Sequence, residues 1–158
     1  LSTTYQFTGS FSRVLAPRYS SFDSNQKAID FSKKAFPLTA AVSLLIIIAG
    51  YITAPVLPFF LGEGFANSIN VFRIASVGMA FFFADAVPIA IILYYLGKSK
   101  IVFIITVWHY LIYTLLLLAL TSKHKEIGAS IAFTLSEAIT FLTLFVYVVY
   151  KLRQKNGN

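Results

Sequence analysis

The stretch from Val71 to Leu96 constrains this chain most, because it is apolar enough to cross a bilayer and yet contains a carboxylate. It reads VFRIASVGMAFFFADAVPIAIILYYL, with Asp85 near the middle and Pro88 one turn later. A charged side chain at the centre of a membrane helix costs roughly 3 kcal/mol on insertion scales, and it usually faces a bundle interior or a wet cavity. Proline removes a backbone donor and tends to kink the helix, which neighbouring helices relieve. The stretch therefore predicts several helices bundled around a polar interior.

The composition is that of an integral membrane protein. Of the 158 residues, 58% are hydrophobic and 12% are charged, whereas a soluble domain has about 45–50% apolar and about 25% charged residues. The chain has no cysteine, which excludes disulfides and thiolate metal sites. It also has no HExxH motif, no phosphate loop and no nucleophile elbow. We therefore expect neither an enzyme nor a bound cofactor.

Four long apolar stretches predict an all-α, polytopic bundle with transmembrane helices at 37–61, 71–96, 101–120 and 127–150. Each is at least 20 residues long, and about 20 residues are needed to cross the ~30 Å hydrocarbon core. The connectors GEGFANSIN, GKSK and TSKHKE are short. Neighbouring helices are therefore expected to run antiparallel.

The residues before these helices predict a truncated span and a link. Residues 1–17 resemble the end of a fifth helix, and residues 18–36 are the only extended hydrophilic stretch. Within the link, Asp23 and Gln26 predict the capping pair of a short surface helix that ends at Lys33 and Lys34. The first residues resemble neither a signal peptide nor an initiation region. We therefore expect the chain to be the C-terminal part of a longer protein.

Lysine and arginine residues in the connectors predict the orientation of the helices. Nine of them fall on one side of the predicted bundle and three on the other. The larger group is Arg18, Lys27, Lys33, Lys34, Lys98, Lys100, Lys151, Arg153 and Lys155, and the smaller is Arg73, Lys123 and Lys125. The link and the tail at 151–158 are thus predicted to be cytoplasmic in a multi-pass protein of the cell membrane. This topology accounts for most of the net charge of +7 without a nucleic-acid partner.

Two carboxylates are the strongest candidates for a role in transport. Asp85 is interpreted as a proton- or cation-responsive group, with a hydrogen-bonded structural carboxylate as the alternative. Glu137 shares one face of its helix with Ser130, Thr134 and Thr140, at spacings of four, three and three residues. Polar side chains on one face of a membrane helix should point into protein or water, where they can also serve only to bond helices together.

Two basic side chains are weaker candidates. His109 lies on one face of its helix with Thr106 and Tyr113, and an imidazole with a reference pKa of about 6.5 can relay protons near neutrality. A neutral imidazole satisfied by its neighbours is the more common alternative. Arg73, at the outer end of its helix, could hold an anionic headgroup or pyrophosphate through its planar fork. Extension of its side chain to the membrane interface is an equally good explanation.

Four segments resemble passages of a known family. YITAPVLPFFLGEGFANSINVFRIASVGM resembles the passage in which a proline-containing helix ends at a Gly-aromatic turn before the next helix. GKSKIVFII and KEIGASIAFTLSEAITF are similar to the last two helices of the same proteins, and VLAPRYSSFDSNQKAIDFSKKAF resembles the link before the ninth helix. The family is the oligosaccharide and O-antigen flippases, or polysaccharide biosynthesis proteins, of the MATE-like flippase superfamily.

The resemblance implies a two-lobed bundle, of which this chain supplies four full spans and part of a fifth in the C-terminal lobe. It also implies translocation of a polyprenyl-pyrophosphate-linked oligosaccharide across the cytoplasmic membrane by alternating access. Membrane lipids, that carrier and other polysaccharide-assembly proteins are the expected partners. No family motif assigns roles to Asp85, Glu137, His109 or Arg73, which are selected from membrane physics alone.

Two other functions fit the same sequence. A cation-coupled multidrug exporter of the superfamily would share the fold and the acidic residues within the membrane. A non-transporting scaffold for polysaccharide-assembly enzymes would tolerate neutralisation of those residues and would depend on the link at 18–36 instead.

Overall fold

The structure, a computed structural model, describes residues 14–62, 65 and 68–154. Within these residues it is helical without strands, which confirms the predicted all-α class. Helix α1 covers 14–20, α2 Asn25–Thr53, α3 Leu57–Leu61, α4 Ser68–Ala84, α5 Ala86–Ala90 and α6 Ser99–Gln154, with a 3-10 turn at Ala54–Val56 and a π-helical turn at Ile91–Tyr95. Residues 1–13 of the truncated span predicted at 1–17 lie outside the described residues.

Three helical stretches in the described part of the chain are long and apolar enough to cross a membrane, namely Asn25–Phe60, Ser68–Tyr95 and Ser99–Gln154. The first and second of these stretches contain most of the residues predicted as spans at 37–61 and 71–96. The third stretch contains both of the remaining predicted spans, because α6 continues through the connector TSKHKE.

Helix α6 is a hairpin. Its 56 residues would extend about 84 Å if straight, but Lys125 has φ 48° and ψ −126°, which no helix accommodates. A Cβ atom added to Gly128 would overlap the carbonyl of Leu120, although the two residues would lie about 12 Å apart along a straight helix. The first arm (99–124) and the second arm (126–154) therefore run antiparallel, and the predicted helices at 101–120 and 127–150 occupy one arm each.

Helix α4 lies at the centre of the bundle, between α2 and the second arm. From α2, the hydroxyl of Ser43 donates a hydrogen bond of 2.9 Å to the carbonyl of Ala80. From the second arm, Thr134 donates one of 2.8 Å to the carbonyl of Ile74. Hydroxyls on one helix that bond to carbonyls of the next are a common means of joining helices inside a membrane. The start of α2 contacts Tyr95, beyond the end of α4, so α2 runs antiparallel to α4. The ring of Phe141 on the second arm contacts that of Phe81 on α4, so the second arm runs parallel to α4.

Small residues allow this close packing of the helices. Gly50 of α2 faces Ser76 of α4 so closely that a Cβ atom at Gly50 would overlap the serine side chain. Gly78, on α4, lies under the ring of Phe133, at 2.6 Å from where a Cβ would be placed. Helix interfaces in membranes are enriched in such small residues, because they let backbones approach.

We expect Gly50→Ala to lower the free energy of unfolding by about 1–3 kcal/mol, because the new methyl group has no space beside Ser76. In a Ser76→Gly background the same substitution should have almost no effect, since the overlapping atoms are gone. Reversible unfolding of the four variants in mixed micelles gives the coupling energy between the two positions. Equal losses in both backgrounds would show that the two helices do not meet here.

The link predicted at 18–36 is structured differently from the expectation. Helix α2 does not end at Lys33 and Lys34 but continues through Pro37 to Thr53. A proline inside a helix costs about 3 kcal/mol, so packing must compensate. It does so through a stripe of buried residues at helical spacing, Ala28, Ser32, Ala35 and Thr39. Ser32 also shares a hydrogen bond of 2.9 Å with the hydroxyl of Tyr19, which holds α1 against this stripe.

The predicted capping pair at Asp23 and Gln26 is wrong. Ser24 is the N-cap of α2, and its hydroxyl accepts a hydrogen bond from the amide of Lys27 at 3.4 Å. Asp23 pairs instead with the ammonium of Lys27 at 2.9 Å, and this hydrogen bond lowers the pKa of the exposed Asp23 carboxyl. The carboxylate one residue before the cap thus contributes a surface ion pair rather than the cap itself.

One end of the bundle is held together by a polar clip. Asn25, at the start of α2, donates through Nδ2 to the carbonyl of Leu152 at 3.0 Å. Tyr95, in the π-helical turn, donates through its hydroxyl to Oδ1 of Asn25 at 3.3 Å. The described members of the larger basic group lie at or toward this end. The smaller group, at Arg73 and near the turn at Lys125, lies at the opposite end.

Candidate functional site

Asp85 lies at an interruption in the central helix, where α4 ends and α5 begins. The amide of Asp85 donates to the carbonyl of Phe81, and the amide of Ile89 donates to the carbonyl of Asp85, each at 3.0 Å. The helix axis therefore continues across the interruption. Pro88 has no N–H to donate to the carbonyl of Ala84. One turn later the amide of Leu96 bonds to the carbonyl of Ile91, a π-helical pattern that is frequent at functional sites. The irregular backbone therefore surrounds the carboxylate that the sequence identifies.

The Asp85 side chain is buried without a complete set of hydrogen bonds. It is 4% exposed, and among the described residues its Oδ1 atom has no hydrogen-bond partner. Glu137, from the second arm, is near enough to interact with it electrostatically. The alternative interpretation, in which Asp85 is a structural carboxylate that bonds to a neighbouring helix, is not supported at Oδ1, because no described residue donates to this atom. Such a buried, unsatisfied acceptor requires a reason beyond stability.

Glu137 and His109 face each other across the two arms of the hairpin. Oε1 of Glu137 lies 3.7 Å from Nε2 of His109, and the two side chains are 6% and 15% exposed. Nδ1 of His109 lies 2.9 Å from the hydroxyl oxygen of Thr140. The polar face predicted for the second arm is thus turned toward the first arm and toward α4, where Thr134 bonds to Ile74.

Aromatic rings enclose His109 on its own arm. The ring of Tyr113 stacks parallel to the imidazole at 6.4 Å between centroids, and the ring of Tyr110 meets it edge-on at 5.4 Å. The predicted companion Tyr113 is therefore in contact with the imidazole. This packing fixes the plane of the ring, so that its two nitrogens point to Thr140 and Glu137.

Arg73 is not part of this group. It lies on α4, 12 residues before Asp85, which corresponds to about 18 Å along the helix. Its guanidinium stacks over the ring of Tyr51 from α2, with 5.5 Å between the guanidinium carbon and the ring centroid. Its Nε atom is buried, without a hydrogen-bond partner among the described residues. The structure thus brings together Asp85, Glu137 and His109 and leaves the fourth predicted residue at the end of the bundle near α3.

Sequence reasoning missed a cavity and a ring contact. A cavity of about 200 Å³ opens between the two arms beside His109 and Thr140. Its other lining residues are Ile105, Trp108, Ile112, Ile139 and Thr143. The stacking of Tyr51 on Arg73 was also missed. Both features depend on the register between separate helices, for which hydropathy carries no signal.

The groups that meet here can bind and release protons or a monovalent cation. They are two carboxylates and one imidazole, contributed by three different helical segments. Across the described residues, no cluster of three or more His, Cys, Asp or Glu side chains is spaced to hold a metal ion. Comparison with family models, with curated proteins and with solved structures finds no match to this chain.

Proposed function

We propose that this chain is the C-terminal part of a flippase that moves a lipid-linked oligosaccharide across the cell membrane by alternating access. The observation that carries the proposal is the pair of buried carboxylates Asp85 and Glu137, with the half-buried His109 beside them, inside a bundle of helices long enough to cross a bilayer. Ionisable side chains that face a bundle interior typically mark ion and substrate pathways. The substrate class rests on the sequence resemblance described above.

The proposed topology places the polar clip on the cytoplasmic side. The start of α2, the turn at Gly97 and the end of α6 meet at this end, where the larger basic group is concentrated. Lys and Arg are enriched in cytoplasmic loops of membrane proteins. The opposite end, with the turn at Lys125, then faces outward, and the C-terminus is cytoplasmic.

In this mechanism the protonation of the buried group biases the inward–outward equilibrium. A ligand shifts such an equilibrium only through its differential affinity for the two states. A charge on Asp85 or Glu137 is unfavourable in the closed bundle and acceptable where water enters, so proton or cation binding provides that difference. The helix interruption at Asp85, with Pro88 and the π-helical turn beyond it, is where the central helix can bend.

Arg73 would attract the anionic carrier at the outer end. A guanidinium that stacks on an aromatic ring keeps its N–H donors in the plane of the fork, free to bind phosphate oxygens in pairs. Arg73 and the carboxylates then act at different depths, one on the pyrophosphate and the others on the coupling ion.

Transport of a fluorescent lipid-linked oligosaccharide in proteoliposomes that contain the full-length protein, with and without a pH gradient, tests the proposal. We expect translocation that Glu137→Gln slows at least about tenfold, which is about 1.4 kcal/mol in the barrier. Glu126→Gln is the matched control, because Glu126 is an exposed carboxylate beside the turn of the same hairpin. An unchanged rate in Glu137→Gln would contradict the coupling role. No translocation by well-inserted protein would contradict the flippase assignment itself.

A second candidate is the cation-coupled multidrug exporter. The observation in its favour is the cavity beside His109, where four bulky apolar side chains (Ile105, Trp108, Ile112 and Ile139) suit a lipophilic cation better than a sugar. Efflux of a lipophilic cationic dye from the same proteoliposomes, without oligosaccharide translocation, would decide for it.

A further inference from the structure

The hydrogen bonds around His109 determine which ring nitrogen carries a proton. Thr140 has a single hydroxyl hydrogen, and it donates this hydrogen to the carbonyl of Ser136 at 2.9 Å. With its hydrogen on that carbonyl, the Thr140 oxygen accepts from Nδ1 of His109, at 2.9 Å. Nδ1 of His109 is consequently an N–H donor.

The same assignment leaves a second position unsatisfied. In a neutral imidazole with its hydrogen on Nδ1, Nε2 is an acceptor. Nε2 faces Oε1 of Glu137 at 3.7 Å, and an ionised carboxylate is also only an acceptor. Two buried acceptors that face each other without a hydrogen between them are unfavourable. The arrangement therefore requires one more proton, either on the carboxyl group or on the ring.

We propose that His109 and Glu137 hold one exchangeable proton between them, and that this proton closes the α6 hairpin at its middle. The inference rests on the proposed function for its purpose, since it makes the proton the ion that drives transport. When the proton leaves to water, Glu137 becomes a carboxylate that faces the lone pair of Nε2, and no other bond changes. The two arms then lose the attraction between Glu137 and His109, and at this level the hydrogen bond between Nδ1 of His109 and Thr140 and apolar contacts remain to join them.

Other titratable groups lie against the pair. Asp85 approaches from α4, and Tyr110 and Tyr113 lie on the first arm. The tyrosines present ring faces and edges to the imidazole, whereas Asp85 can bring a negative charge. Loss of the shared proton next to an ionised Asp85 would bury two negative charges together. Release of the proton is therefore tied to an opening that lets water reach the site.

A sodium ion between the two acceptors is the competing explanation. Hard monovalent and divalent cations prefer oxygen ligands, and this pair offers an imidazole nitrogen on one side. A proton suits a nitrogen–oxygen pair of this kind, since both atoms are strong proton acceptors. The geometry thus favours the proton.

The protonation of His109 can be observed directly. We would label the protein with ¹⁵N-histidine, reconstitute it in lipid nanodiscs and assign His109 by the signals that disappear in His109→Gln. We expect Nδ1 to carry a hydrogen throughout and Nε2 to change its shift in one step as the pH rises. Glu137→Gln should abolish this step, because an amide donates to Nε2 permanently, while Glu126→Gln should leave it unchanged.

Spin labels test whether the proton closes the hairpin. The chain has no cysteine, so cysteines introduced at the exposed positions Phe103 and Val146, one on each arm, carry labels selectively. We expect the distance between the labels to increase over the pH range in which Nε2 changes its shift, and to stay constant in Glu137→Gln.

Several results would overturn the proposal. These are a hydrogen on Nε2 with a bare Nδ1, a titration that persists in Glu137→Gln, a response of His109 to sodium at constant pH, or a constant label distance throughout. None of these measurements involves transport. If the shared proton is observed but no oligosaccharide moves, the proposed cargo is wrong and the proton pair stands.

Discussion

Asp85→Asn should raise the free energy of unfolding by about 1–3 kcal/mol while it removes pH-driven transport. The Oδ1 atom of Asp85 is buried without a hydrogen-bond partner among the described residues, so an ionised carboxylate here has a desolvation penalty of at least about 1–3 kcal/mol that a neutral group avoids. An amide of the same shape is cheaper to bury, because it cannot carry the charge. Reversible unfolding in mixed micelles and transport in proteoliposomes measure the two effects.

Asp30→Asn is the matched control for this prediction. Asp30 is an exposed carboxylate on α2 that bonds to Gln26 and Lys33 on the helix surface. Its neutralisation should change the free energy of unfolding by no more than about 0.5 kcal/mol and leave transport intact. If Asp85→Asn instead destabilises the protein by more than 1 kcal/mol, the carboxylate is structural and the alternative reading of the sequence is correct.

Gly128→Ala should destabilise the protein by about 1–3 kcal/mol, although alanine is the better helix former by about 1 kcal/mol. The added methyl group would meet the backbone of Leu120 and the amide nitrogen of Thr121, the latter at 2.9 Å. Unlike a flexible side chain, a backbone segment cannot rotate away, so the two arms must separate near the turn. The free energy of unfolding measures the loss, and the spin-label distance between the arms reports the separation.

Ser122→Ala provides the comparison, because Ser122 is exposed on the other side of the same turn and bonds only to its own helix. This variant should change stability by no more than about 0.5 kcal/mol. A Gly128→Ala protein that is more stable than the parent would show that the arms do not approach closely at this point.

The sequence was sufficient to predict the long helices and to select three residues that the structure brings together. Hydropathy alone located the stretches that contain α2, α4 and both arms of α6. The cost of a carboxylate at membrane depth selected Asp85 and Glu137, and a spacing of three and four residues placed Glu137 and Thr140 on one face. These features are local, since each depends only on residues within the same helix.

Other features could not be predicted because they depend on contacts between helices. Pro37 suggested a helix start, yet the buried stripe of α2 carries the helix through it. The connector TSKHKE was predicted, but its turn residue was not, because Lys125 adopts a positive φ and the connector has no glycine before Gly128 to indicate it. The pairing of His109 with Glu137 requires the register of the hairpin, which is set where Gly128 meets Leu120.

The polar clip at Asn25 has a mechanical consequence for the whole bundle. It ties α2, the π-helical turn and the end of α6 at one end, whereas the arms of α6 are joined at the other end through their own turn. The helices can therefore rotate relative to one another about the clip. For an arm about 40 Å long, a rotation of about 10° about the clip would displace the far end by about 7 Å, somewhat more than the ~5.4 Å of a one-turn shift between packed helices. Leverage of this kind would convert a small tilt of the α6 hairpin relative to α4 into a larger displacement of its Lys125 turn.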